Sequence, residues 1–290
     1  MTQFISGAAK ESKSSPVQHT TQSSQTTHSL SQTTTQSHKT LTYLTQDVTN
    51  QIVGIKKGMT KVMTKNTEIP SFLYTDEYIV DNLIKLRTEV NAQNKQIKLS
   101  YMPFIIKAIS LSLKAYPIIN SVTTGKKDQD GFITEYLTKK DHNISVAIDV
   151  PEGLMVPNIK QVQMKSVMRI QSDLNELREK GDKLLFSSSD LSDGTFSISN
   201  IGNIGGRCLN PCIMPPQVAI LAITKIYDSI RVIDDVKGHK DDSKNKFECH
   251  KVINFCFSAD HRVIDGATIA RFSEVLRNYI ENPLKILTEE

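Results

Sequence analysis

Apolar positions recur at helix and strand spacings from about Ile52 onward, and the first 46 or so residues hold few of them. That opening stretch is Ser, Thr and Gln with a few Lys and His. It cannot bury enough surface to offset the entropy of ordering, so residues 1–48 are expected to be a disordered tail or linker. Residues 49–290 read as one folded domain. Ser71 to Ile79 has the apolar and aromatic content of a strand, and after it Leu83, Leu86 and Val90 share one helix face. Ser100 ahead of Met102-Pro103 reads as a helix cap with Pro in the first turn. Ile105, Ile109 and Leu113 line that helix, and Pro117 stops it.

Strict alternation follows. Ile144, Val146 and Ile148 take one face of a strand, and Ser145, Ala147 and Asp149 take the other. Pro151-Glu152-Gly153 turns the chain into a second strand, Leu154 to Ile159. Val167, Ile170, Leu174 and Leu177 then form a helical stripe, with Gly181 as its expected C-terminal stop. From Thr195 to Ile201, Phe196 and Ile198 face one way, so Ser197 and Ser199 face the other. Beyond Gly202, Gly205 and Gly206, two long strands are predicted, about Val218 to Ile233 and Phe247 to Ser258, joined by a polar hairpin loop at Asp234–Lys246. Ile269, Phe272, Leu276 and Ile280 line a last helix that ends at Pro283. Strands and helices mix without a regular βαβ repeat, which predicts an α/β or α+β sandwich.

Composition narrows the field. A hydrophobic fraction of 38% and a charged fraction of 23% are those of an ordinary globular protein, and no apolar run approaches the roughly 18 residues of a membrane helix. No membrane association is expected. The net charge of +4 comes from scattered lysines, and aromatic residues make up 6% with no Trp, which argues against nucleic acid as a partner. Cys208 and Cys212 have metal-like spacing, but no second Cys or His pair follows, so no metal is expected and the four cysteines read as reduced, mostly buried thiols.

One segment concentrates chemistry: Ser258-Ala259-Asp260-His261-Arg262-Val263-Ile264-Asp265-Gly266. It follows an apolar strand and precedes a helix, so His261 falls at a strand end, where an imidazole can exchange a proton near neutral pH. Asp260, Arg262 and Asp265 around it suggest an ion-pair scaffold that fixes the turn.

His261-Arg262-Val263-Ile264-Asp265-Gly266 resembles the His-x-x-x-Asp-Gly motif of the dihydrolipoamide acyltransferases (E2) of 2-oxoacid dehydrogenase complexes, a motif chloramphenicol acetyltransferase shares. Gly194–Gly202, Met214–Ile220, Ile69-Pro-Ser-Phe72, Ser100–Phe104 and Gly153–Pro157 resemble further segments of that family in the same order, so the likeness spans about Ile52 to the C terminus. Asn200–Gly206 and Met214-Pro-Pro are most like the branched-chain type. The resemblance implies an α/β fold, a chloramphenicol-acetyltransferase-like mixed-sheet sandwich with flanking helices. It implies transfer of an acyl group between dihydrolipoamide and coenzyme A, with His261 as general base, Ser199 as hydrogen-bond donor to the oxyanion, and Asp265 in an orienting, ion-pairing role for which Arg262 is the nearest candidate partner. Along coenzyme A it implies Arg87, Ser100 and Asp149, with Thr224 a weaker candidate.

The resemblance further implies a homotrimer with His261 of one chain facing Ser199 of its neighbour, a larger cubic core, partnership with other dehydrogenase-complex subunits, and the mitochondrial matrix. No lipoyl or peripheral-subunit-binding segment precedes the core in these residues, so either the chain is a fragment or the lipoyl group is carried on a separate domain or chain. Arg207 stands where the family usually has a small hydroxyl residue, and the Asp234–Lys246 loop is longer than usual. Two alternatives stay open: a core-like scaffold without turnover, and an acetyltransferase acting on a small alcohol.

Overall fold

A computed structural model describes residue 44 and residues 46–94, 96–233 and 246–289. The chain divides into Met1–Thr49 and Asn50–Glu290. In the first unit Leu44 and residues 46–49 are described, and all are exposed. The expected tail otherwise lies outside the described residues, as do 234–245 of the expected hairpin loop.

In chain order the second unit runs α1 (Gly54–Asn66), β1 (Ser71–Ile79), α2 (Asp81–Gln93), α3 (Met102–Ala115), β2 (Ser121–Thr123), β3 (Tyr136–Thr138), β4 (Ile144–Val146), β5 (Ile148–Val150), β6 (Gly153–Met155), β7 (Asn158–Ile159), α4 (Val167–Asp182), α5 (Ser188–Leu191), β8 (Phe196–Asn200), β9 (Ala219–Ile223), β10 (Tyr227–Ile233), β11 (Lys246–Asp260), α6 (Gly266–Glu281) and α7 (Leu284–Thr288). The main sheet is mixed, ordered β1-β11-β9-β8-β4-β7, with β10 also pairing β11. β8 is parallel to β9 and to β4, and β11 is antiparallel to β1, β9 and β10.

Helices α3, α4 and α6 pack as a layer, α3 against both of the others. The expected stripe on α3 is real, but every residue from Met102 to Leu113 is buried, so this helix runs inside the core rather than on its surface. Phe196 and Ile198 on β8, Phe255 and Phe257 on β11, and Phe272 and Leu276 on α6 belong to one hydrophobic cluster with it. Phe272 stands edge-on to Phe257, ring centroids 5.9 Å apart. No helix among the described residues is long and apolar enough to cross a membrane.

Several expectations change. The strand expected through Ile144–Asp149 breaks after Ala147: its N–H still donates to the Ile198 carbonyl of β8, the last rung of the β4–β8 ladder, and beyond it β5 pairs with β6 instead. Pro157 offers no N–H and divides the expected Leu154–Ile159 strand into β6 and β7. The long Val218–Ile233 strand is β9 and β10, two separate partners of β11. Gly181 is not a stop: it lies inside α4, where a Cβ would meet Ile148 and Val150 at 3.4 Å. Helix α1 was not expected from the sequence, although Ile55, Met59, Val62 and Met63 share one of its faces, and it buries no residue. Cys208, Cys212 and Cys249 are exposed, leaving Cys256 as the buried thiol.

Candidate active site

β11 delivers its last residue, Asp260, fully buried. Its carboxylate accepts from Arg262 three times: the backbone N–H at 3.0 Å, Nε at 2.9 Å and Nη2 at 2.7 Å. A guanidinium fork matches a carboxylate in this bidentate way, and a buried carboxylate requires such a partner. The Asp260 carbonyl also accepts from the N–H groups of Val263 and Ile264. His261 therefore sits in a turn closed from both sides, with its own N–H donating to the Pro70 carbonyl at 2.9 Å. The side chain remains exposed, and Phe72 holds its ring at a centroid distance of 4.6 Å.

Asp265 does not pair with Arg262, contrary to the sequence-based expectation. The fork is taken by Asp260, and Asp265 caps α6 instead, accepting from the Thr268 N–H at 2.8 Å and its hydroxyl at 2.9 Å. Those Thr268 bonds hold the Asp265 carboxyl below its ordinary range. Ile264 and Ile269, on either side of the cap, are both in the core cluster, the arrangement of a hydrophobic staple. The turn that carries His261 is thus fixed by an ion pair before it and a helix start after it.

Ser199, half-buried near the end of β8, makes no side-chain hydrogen bond among the described residues, unlike Ser197, whose hydroxyl donates to Gln217 Oε1 at 2.6 Å. A tight turn follows. The Gly202 N–H donates to Asn200 Oδ1 at 2.9 Å, and a Cβ on Gly202 would lie 2.6 Å from the Thr224 carbonyl. Only a residue without a side chain fits there.

Ser199 and His261 do not meet within one chain. Ser199 is in register with Ala222, whereas Ala259 is in register with Ala219 and the Asp260 N–H reaches the Val218 carbonyl. Five residues along the strands and two strand spacings across put them roughly 19 Å apart, at ~3.3 Å per residue and ~4.8 Å per strand.

Arg87 and Ser100 converge at the start of α3. The Arg87 guanidinium lies over the Tyr101 ring at 4.3 Å, donates weakly to the Leu99 carbonyl at 3.5 Å, and leaves Nε buried with no partner among the described residues. That orphaned donor and the aromatic platform suit a phosphate or a planar base. Ser100 is not a cap: its N–H and hydroxyl both donate to Gln171 Oε1, at 2.8 and 2.9 Å, and α3 begins without a side-chain cap. The Thr224 hydroxyl is committed to the Asn254 backbone, donating at 3.0 Å and accepting at 3.1 Å. It nonetheless lines a cavity of about 270 Å³ together with Tyr101, Met102 and Asn200. Asp149 is exposed on β5, across from Leu154. Tyr101, Gln171 and Phe72 carry the geometry of these groups and were not singled out from the sequence, because aromatic and amide side chains signal nothing until their neighbours are known.

The mixed sheet and its helix layer are those of the dihydrolipoamide acyltransferase cores. The Azotobacter vinelandii dihydrolipoamide acetyltransferase (E2p) superposes with a TM-score of 0.73 at 27% identity, covering 83% of this chain and 94% of that one. Its structure addresses the role of a serine, a histidine and an asparagine in the catalytic mechanism. The cubic core of a pyruvate dehydrogenase multienzyme complex superposes with a TM-score of 0.69 at 28% identity, covering 80% and 90% of the two chains. In sequence, the mitochondrial lipoamide acyltransferase component of the branched-chain alpha-keto acid dehydrogenase complex of Caenorhabditis elegans is 44% identical over 278 residues, which are 94% of this chain and 58% of that protein. The chain belongs to the 2-oxoacid dehydrogenase acyltransferase family, whose catalytic-domain model matches residues 45–288. It spans a little over half the length of that curated relative.

Proposed function

We propose that this domain transfers an acyl group, branched-chain by preference, between dihydrolipoamide and coenzyme A. The observation that carries the reading is His261: an exposed imidazole on a turn locked by the Asp260–Arg262 fork and the Asp265 cap, the geometry a positioned general base requires. The imidazole takes the proton of the coenzyme A thiol as its sulfur attacks the thioester carbon of acyl-dihydrolipoamide. Negative charge collects on the carbonyl oxygen, where Ser199, uncommitted among the described residues, donates its hydroxyl proton as a hydrogen bond. The tetrahedral species collapses, the carbon–sulfur bond to dihydrolipoamide breaks, and the imidazolium returns its proton to the departing sulfur. The reverse direction uses the same groups. Asp265 fixes the turn through α6 and handles no proton.

The strand register supports a site built from two copies, since the base and the oxyanion donor are too far apart to serve one substrate within a chain. A homotrimer with three shared sites, set in a larger cubic core, meets that requirement. Arg87 and Tyr101 would hold the nucleotide end of coenzyme A, Ser100 and Asp149 its path, and the cavity beside Thr224 its approach to Ser199. The lipoyl group would arrive on a lipoyl-bearing domain, with other dehydrogenase subunits as partners, in the mitochondrial matrix that the relative's name suggests.

The test is acyl transfer from isobutyryl-CoA and acetyl-CoA to dihydrolipoamide, with His261→Ala in parallel. The expected result is a higher rate with isobutyryl-CoA and a loss of roughly 10²–10⁴-fold in the variant. Folded wild-type protein that turns over neither substrate overturns the proposal.

A further inference from the structure

The loop from Gly202 to Gln217 crosses the face of the main sheet opposite the helix layer, and two hydrogen bonds fix its path along β11. Asn254 Nδ2 donates to the Arg207 carbonyl at 2.7 Å, and the Ser258 hydroxyl donates to Asn210 Oδ1 at 2.8 Å. Asn254, Cys256 and Ser258 share one face of the strand, because side chains alternate. Loop residues 207 and 210 are therefore held over strand residues 254 and 258, and Cys208 between them falls over Cys256. An independent contact fixes the same point. Thr75 is the register partner of Cys256, and its Oγ1 lies 3.6 Å from Cys208 Sγ. The Cys208 and Cys256 thiols are also hydrogen-bond neighbours, which brings the two sulfurs to contact distance, as a disulfide needs.

The two thiols differ in access. Cys208 is exposed and Cys256 is fully buried. Burial pushes the Cys256 thiol up, against hydrogen bonds from Thr75 and the Leu209 backbone, with the neighbouring Cys208 adding to the rise. The exposed member can meet a small oxidant first, and the buried member waits beneath it.

We propose that Cys208 and Cys256 form a modification site: a thiol pair that closes into a reversible disulfide when hydrogen peroxide reaches Cys208. The Cys208 sulfur attacks one peroxide oxygen, the oxygen–oxygen bond breaks, and one water leaves, with Cys208 as the sulfenic acid. Cys256 sulfur then attacks Cys208 sulfur, the sulfur–oxygen bond breaks, and a second water leaves with the two remaining protons. Two thiols lose two electrons in total, and the peroxide gains them. A thiol reductant reverses the bond by exchange. The bond ties the segment between β8 and β9 to the centre of β11, on the sheet face that also carries Ser199.

The experiment treats the full chain with a small molar excess of hydrogen peroxide at neutral pH, alkylates the remaining thiols under denaturing conditions and maps the digest by mass spectrometry. The expected product is one linked pair of peptides carrying Cys208 and Cys256, two hydrogens lighter than their sum and separated by dithiothreitol. Cys212→Ser keeps that product and Cys208→Ser abolishes it. A link between Cys208 and Cys212, a link between chains, or Cys208 oxidised to sulfinic acid while Cys256 stays fully alkylated overturns the proposal. Both diagnostic variants change exposed loop residues, so the buried Cys256 need not be altered.

Discussion

If catalysis needs His261 of one copy and Ser199 of another, two dead variants will repair each other. Neither group can substitute for the other, and the register keeps them roughly 19 Å apart within a chain, from ~3.3 Å per residue and ~4.8 Å per strand. Alone, Ser199→Ala is expected to lose roughly 10²–10³-fold and His261→Ala roughly 10²–10⁴-fold. In a cyclic trimer each site takes its base from one copy and its hydroxyl from the next. Any mixed trimer, whether two-to-one or one-to-two, then holds a single interface with both groups intact, so its activity is about one third of wild type. The two variants carry different tags, are expressed together, and are purified through both tags in turn. Dihydrolipoamide acylation is then measured per trimer. The rise over either variant alone should be roughly thirty-fold or more, given the single-variant losses above. Mixed trimers no more active than the single variants would refute the shared site.

Gly202→Ala forces a methyl against the Thr224 carbonyl, 2.6 Å from the new Cβ, and should cost about 1–3 kcal/mol in urea unfolding; an unchanged midpoint would mean that the turn after Ser199 yields freely. Arg262→Leu leaves the fully buried Asp260 carboxylate unpaired and should cost about 3–5 kcal/mol, whereas Asp260→Asn in the same background should restore part of that loss. His142 is buried beside Ser110, and burial, with Lys114 adding, lowers its pKa to about 4 from 6.5. The unfolded chain therefore takes up a proton that the folded one refuses as the pH falls from 6.5 towards 4. Wild-type stability should fall by about 3 kcal/mol across that window from this group, and His142→Gln should be flatter by the same amount; parallel curves would contradict the assignment.

Much of the fold was legible in the sequence where one element settles its own fate. Helix α6 appeared through Ile269, Phe272, Leu276 and Ile280, all of which are fully buried. Strand β1 matched its expected limits, Ser71 and Ile79, because its apolar alternation belongs to nine consecutive pairings with β11. Reading failed where tertiary partners decide. Nothing in Ile144–Asp149 announces that the ladder to β8 ends with the Ala147 N–H on the Ile198 carbonyl and that Ile148–Val150 pair with β6 instead. Ser100 has the local chemistry of a cap, yet Gln171, 71 residues away, takes both its donors.

The candidate site divides along the same line. His261, Arg262 and Asp265 are close in sequence, so their presence in one turn was readable, but their pairing was not. The Arg262 fork could have reached either carboxylate. Asp260 takes it because that side chain is buried at the strand end and has no solvent to fall back on, whereas Asp265 faces water and finds the free N–H groups of α6. The relation of Ser199 to His261 follows from no pattern in these residues, and only the family resemblance implied that the two face each other across chains. That relation depends on β9 pairing parallel to β8 and antiparallel to β11, which sets the serine and the histidine towards opposite ends of the same sheet. Taken by themselves, two strands that each end in a reactive group carry no sign of whether they form one pocket or two. If both groups serve one thioester, as proposed, the register makes them halves of two pockets, and a second copy of the chain is then a chemical requirement and not merely a packing preference.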